Sequence, residues 1–265
     1  MSRRRVRTAL PATPMASVSH RLPSAMRIGH GILFLPLFTT RDARHLRGVC
    51  RQLHGLVTNF AWDDRDPDSH VAAHAGAMAL WRACFPRAVA CTLGTFKTWR
   101  NVHVTDADLM LLRGVRFLDM KRCPNVTDVG LAHLAGIHTL DVRECNQETI
   151  TDAAFAHLVG IHTLDMSSCD QETITDAAFA HLAGIHTLNM RDCNQATITD
   201  VAFAHLAGIR TLDMSWCRQE TITDAAFAHL AGIHTLNMSR CNQETITDAA
   251  FAHLVGIHTL VQDHS

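Results

Sequence analysis

Cys123, Cys145, Cys169, Cys193, Cys217 and Cys241 return at an interval of 22 and then of 24 residues. Thiols spaced so evenly could pair as disulfides or bind zinc. Histidine is as regular: His133, His157, His181, His205, His229 and His253 form one column, and His138, His162, His186, His234 and His258 another, which Arg210 interrupts. Zinc needs three or four ligands converging from different directions, whereas a ladder presents them in line. The chain has no Cys-x-x-Cys pair, no phosphate-binding Gly-x-x-x-x-Gly-Lys loop, no Gly-x-Ser-x-Gly elbow and no His-Glu-x-x-His. The expectation is a chain with no metal, no cofactor and no catalytic residue. Its cysteines would be small buried side chains bonded to turn backbone.

The elements that must carry these columns come from one repeated unit. Ile150-Thr-Asp-Ala-Ala-Phe-Ala-His-Leu-Val-Gly-Ile-His-Thr-Leu-Asp-Met-Ser-Ser-Cys169 returns, slightly altered, from Ile174, Ile198, Ile222 and Ile246, with looser copies opening at Val126 and Val104. A fixed period in the twenties is the signature of a solenoid. Leu164 and Met166, two apart, would point into one core from a strand, with Thr163, Asp165 and Ser167 on the other side. Thr151-Asp152 supplies a helix start, Ala153–Leu158 a short helix burying Phe155 and Leu158, and Gly160 its stop. No unit buries its apolar face alone, so neighbours must stack. The core sides of Phe251, Leu254 and Leu260 are expected to lack a covering repeat.

The spacing Ile161-x-x-Leu164-x-Met166-x-x-Cys169 is that of leucine-rich repeats, and the pattern resembles their cysteine-containing class. Cys123-Pro-Asn-Val126-Thr-Asp-Val-Gly130-Leu131 is the nearest match to the family form. Later copies depart from it: Gly-Leu becomes Ala-Phe, and the loop Asn146-Gln-Glu-Thr149 is two residues longer. The resemblance implies an α/β solenoid, a right-handed horseshoe with a parallel sheet of about eight strands and short convex helices, over residues 85–265.

Composition sets further bounds. Of 265 residues, 47% are hydrophobic, enough for a continuous core. The net charge of −1 hides an asymmetry: residues 1–60 hold ten Arg, no Lys and the single acid Asp42. Residues 1–21 read as a basic disordered tail, with import or transit signals as weaker readings. No apolar run is long enough for a membrane span. Reduced, regularly placed cysteines suit a cytoplasmic or nuclear setting. Residues 61–84 read as a linker and a capping helix, with Trp81 on its apolar side.

Residues 22–60 do not follow the repeat. Leu46, Val49, Cys50, Leu53 and Val57 make an amphipathic stripe. With Leu22-Pro23, Ile32, Phe34-Leu35 and Val49-Cys50-Arg51 it resembles an F-box, a small all-α module that docks onto the adaptor of a cullin–RING ubiquitin ligase. Ser24-Ala25 replace the usual acid and Leu53 the usual aromatic. The resemblance implies adaptor contacts by Leu22, Pro23, Leu35, Leu46, Val49 and Leu53.

Differences between copies gather on the outward side of the expected strands. One column reads Asp119, Asp141, Asp165, Asn189, Asp213, Asn237; the next reads Lys121, Arg143, Ser167, Arg191, Ser215, Ser239. The last varies most: Arg122, Glu144, Ser168, Asp192, Trp216, Arg240. These columns, apart from Ser168, Ser215 and Ser239, are the candidate protein-binding face, with Trp216 its candidate anchor. Selection for binding and drift at exposed positions both explain the placement. The leading expectation is a non-catalytic substrate receptor of a cullin–RING ligase. The alternative is an interaction scaffold whose N-terminal helices only cap the solenoid. Nucleic-acid binding through the Arg-rich start is the weakest reading, because the repeats are acidic.

Overall fold

The computed structural model describes residue 43 and residues 51–63, 77–93 and 103–262. Its centre is a single sheet of eight parallel strands in sequence order: β1 (Ala90–Thr92), β2 (Phe117–Asp119), β3 (Thr139–Asp141), β4 (Thr163–Asp165), β5 (Thr187–Asn189), β6 (Thr211–Asp213), β7 (Thr235–Asn237) and β8 (Thr259–Val261). Each strand pairs in register with the equivalent residues of the next, so Leu140, Leu164, Leu188, Leu212 and Leu236 form one row. All five are buried, and Val142, Met166, Met190, Met214 and Met238 stack beside them. Period-two alternation sorts the strands, and the one-sided core forces the units to stack into a leucine-rich-repeat horseshoe solenoid.

The return segments are shorter than the sequence suggests. The helix after Thr151 spans only Asp152–Phe155, against an expectation reaching Leu158. His157 and Leu158 close i→i+3 bonds instead, donating to Ala154 and Phe155. This tighter winding still buries Leu158 while bringing the chain round to the next strand. Gly160 then takes a left-handed φ of 82°, which ends the turn without a Cβ clash.

Thr and Asp at the helix start do separate jobs. Thr175 Oγ1 accepts from Ala177 N at 3.2 Å, capping its own helix. Thr175 N and Oγ1 both donate to Asp152 of the preceding repeat at 2.7 Å. The same rung joins Asp106 to Thr127, Asp128 to Thr151, Asp176 to Thr199, Asp200 to Thr223 and Asp224 to Thr247. The Thr-Asp pair is thus a cap and an inter-repeat staple in two residues.

At the N-terminal end, α1 (Arg51–Asn59) and α2 (Ala77–Cys84) adjoin the first strand. Trp62 is 1% exposed, lies edge-on to Phe60 and Phe85, and its carbonyl accepts from Val89 N and Ala90 N. Val57, Trp62, Met78 and Trp81 belong to the same continuous core as the repeats. At the other end Leu254 is buried, whereas Phe251, Ile257 and Leu260 are only partly covered. Among the described residues no helix is long and apolar enough to cross a membrane.

Candidate protein-binding face

The sheet face opposite the helices carries the candidate columns, and the structure gives each a distinct role. The Asp/Asn column mainly shapes the turn after each strand. Each Oδ1 accepts the backbone N–H two residues on: Asp119 from Lys121, Asp141 from Arg143, Asp165 from Ser167, Asn189 from Arg191, Asp213 from Ser215 and Asn237 from Ser239. These Asx turns consume acceptors expected to face a partner. Asp119 is 7% and Ser167 6% exposed, so these two candidate contacts are buried by their neighbours.

The same column bonds to itself along the sheet. Asn189 Nδ2 donates to Asp165 Oδ2 at 3.1 Å, and Asn237 Nδ2 to Asp213 Oδ2 at 2.9 Å. Where Asp follows Asp, a cation intervenes. Lys121 pairs with Asp119 at 3.0 Å, and Arg143 binds Asp141 and reaches Asp165 at 3.4 Å. Burial raises the Asp165 carboxyl above the usual carboxylate range. The hydrogen bond to Asp141 raises Arg143 further, so it stays charged.

The most variable column occupies an unusual backbone position. Arg122, Glu144, Ser168, Asp192, Trp216 and Arg240 all have φ between 56° and 65°, the left-handed region. Glycine or Asn adopts that conformation at least cost, yet no glycine stands in the column. The first five of these turn residues tie to the following repeat, for example Ser168 N to Arg191 O at 2.7 Å and Trp216 N to Ser239 O at 2.9 Å. Arg122 and Glu144 form a two-pronged ion pair at 2.6 and 2.7 Å, which lowers the Glu144 carboxyl. Asp192 is exposed. Trp216 is half-buried rather than bare, with Arg218 and Arg240 against its ring.

The cysteine and histidine columns complete the picture. Cys169, Cys193, Cys217 and Cys241 donate their thiols to carbonyls at the strand end of the preceding repeat, Val142, Met166, Met190 and Met214, at 3.0–3.2 Å. The bond therefore runs between repeats, not within one turn. Burial pushes the Cys145 and Cys241 thiols up to about 12 and the others higher, which removes the thiolate a nucleophile needs. The rings of His138, His162 and His186 stack at 4.4–4.6 Å, and each Nδ1 lies 3.1–3.2 Å from the neighbouring threonine hydroxyl. Among the described residues no three His, Cys, Asp or Glu side chains converge as metal ligands would.

One column escaped sequence reasoning. Gln171, Gln195, Gln219 and Gln243 are buried. Gln147 Nε2 donates to Cys123 O and Val126 O at 2.9 Å, and Gln171 Nε2 to Cys145 O at 3.1 Å. The two-residue-longer loop turns its Gln inward, and the signal was a Gln two places after every such Cys. Of the expected adaptor contacts, Leu22, Pro23, Leu35, Leu46 and Val49 lie outside the described residues. Leu53 falls in α1, but its side chain is outside the description.

No protein-family model matches the sequence, and no curated protein does. The fold, however, is shared with a solved structure. The structure of the TLR13–ssRNA13 complex aligns with a TM-score of 0.54 and 20% identity, over 68% of this chain and 26% of that one. That of the yeast Rad7–Elc1 complex aligns with a TM-score of 0.47 and 19% identity, over 59% of this chain and 44% of that one. The chain thus spans less than half the length of either neighbour. The fold class is a leucine-rich-repeat solenoid.

Proposed function

We propose that this chain is a non-catalytic protein-interaction receptor, the substrate-recognition subunit of a cullin–RING ubiquitin ligase. Its turn column would hold the target, and its N-terminal module would bind the ligase adaptor. The observation that carries the receptor half is the left-handed column. Diversity among the repeats concentrates at six turn positions, and at all but Asp192 the left-handed backbone disfavours the side chain found there. Such strain points to a role for the side chains themselves. Inert thiols and an Asp/Asn column bonded to its own turns and neighbours leave the turn residues as the groups most available to a partner. The ligase half rests on the F-box resemblance and the order of parts.

A second reading has its own support. Val57, the last member of the F-box-like stripe, is fully buried in the solenoid core, as a capping helix requires. Co-purification decides between the two. The full chain should retain the ligase adaptor, and Leu46→Asp with Val49→Asp should release it while the melting curve of the repeats is unchanged. A full chain that retains no adaptor leaves the capping scaffold as the function.

A further inference from the structure

Five copies, from Ile150 onward, are so alike that every departure is visible. In the copy opening at Ile198, Arg218 occupies a slot that holds Asn146, Asp170, Asn194 or Asn242 elsewhere, and the turn residue is Trp216. These two departures touch. The Arg218 guanidinium carbon lies 5.0 Å from the Trp216 ring centroid. Arg240, the turn residue of the next copy, brings a second guanidinium to 5.6 Å. Three substitutions from two repeats thus meet at one spot.

The site is held in place and charged. Trp216 N bonds Ser239 O at 2.9 Å, and Arg218 N bonds Asn194 Oδ1 at 2.7 Å, so the backbone beneath both residues is pinned. Trp216 holds φ 65°, a conformation in which a bulky residue is an outlier. Among the described residues the Arg218 guanidinium pairs with no carboxylate, and its planar fork of donors matches carboxylate and phosphate geometry. The indole screens one side from water, which strengthens attraction between guanidinium and anion. Asp192, in the preceding turn slot, has its Oδ1 held by Asn194 Nδ2 at 3.0 Å.

We infer that Trp216, Arg218 and Arg240 form an anion-recognition site for a carboxylate or phosphate group on a side chain of the protein partner. The inference rests on the reading of this face as a receptor. Titration of the full chain, followed through the Trp216 indole N–H resonance, tests it. The probes are inorganic phosphate and three short peptides alike except at one position, which is phosphoserine, glutamate or serine. The phosphoserine or glutamate peptide should shift the resonance saturably, the serine peptide should not, and added salt should weaken the effect. Which anionic peptide binds more tightly identifies the source of the charge. Trp216→Ser and Arg218→Asn should each weaken binding about tenfold or more, and Arg218→Lys should restore it only in part. Because Ser and Asn fill these slots in sister repeats, both variants should melt like the parent. Equal binding of the serine peptide, no shift with any anionic probe, or unchanged affinity in Arg218→Asn would overturn the site. If protein targets still required Trp216 while every anionic probe failed, the receptor reading would stand and this inference alone would fall.

Discussion

Asn189→Asp changes an amide to a carboxyl of nearly the same shape, and so isolates the electrostatics of the sheet face. Asn189 Nδ2 donates to Asp165 Oδ2 at 3.1 Å, while Asn189 Oδ1 accepts from Arg191 N at 3.0 Å. The substitution keeps the second bond and removes the first. A hydrogen bond to a charged group contributes roughly 1.5–3 kcal/mol. Two carboxylates about 4 Å apart repel by up to about 4 kcal/mol at an effective dielectric near 20. The two effects overlap, and one carboxyl escapes by holding a proton, so the net cost at neutral pH is about 2–4 kcal/mol. Burial already raises Asp165, and the new neighbour raises the pair further. The folded state then binds a proton that the unfolded chain has released, so stability falls as pH rises through the raised folded value. Below the unfolded value, about 4, the penalty vanishes, because the introduced carboxyl in its protonated form again donates to Asp165. Urea unfolding at about pH 5 and about pH 7.5 reads this directly: the deficit against the parent should be clearly larger at the higher pH. A deficit equal at both, or none at either, would refute the ladder. Asn237→Asp, opposite Asp213, should behave alike.

Three further outcomes are expected. Leu188→Ala, at a fully buried central position, should cost about 3–4 kcal/mol, whereas Leu260→Ala, at a partly covered one, should cost clearly less; urea unfolding of both variants checks the gradient. An exposed-thiol assay on the folded chain at mildly alkaline pH should leave Cys169, Cys193 and Cys217 unmodified, and among the described cysteines half-buried Cys84 should react first. Gly184→Ala, at φ 83° with open space around the missing Cβ, should destabilise through backbone strain alone, by about 1 kcal/mol in thermal melts.

The sequence carried the solenoid because its signal is periodic and redundant. Leu164 and Met166 announce a strand, and their recurrence announces the stack. Helix length was overread, since Ala153–Leu158 has good helix formers and nothing local reveals that only one turn fits before Gly160. The Asp/Asn column looked like a free binding surface because Asx turns depend on backbone direction, which composition does not display. The left-handed turn was hidden for the opposite reason. Glycine or Asn usually marks positive φ, but Arg122, Glu144 and Trp216 do not. The inward glutamines were disguised by their polarity, although their place after each Cys was constant.

The turn column is proposed as the surface that selects a protein partner. Its most direct test is affinity capture by the full chain beside a variant with that column levelled, Asp192→Ser, Trp216→Ser, Arg218→Asn and Arg240→Ser together. The levelled chain, folded by its melting curve, should lose the specific targets of the parent while keeping whatever binds the N-terminal module. Capture of the same targets at the same yield by both chains would contradict it.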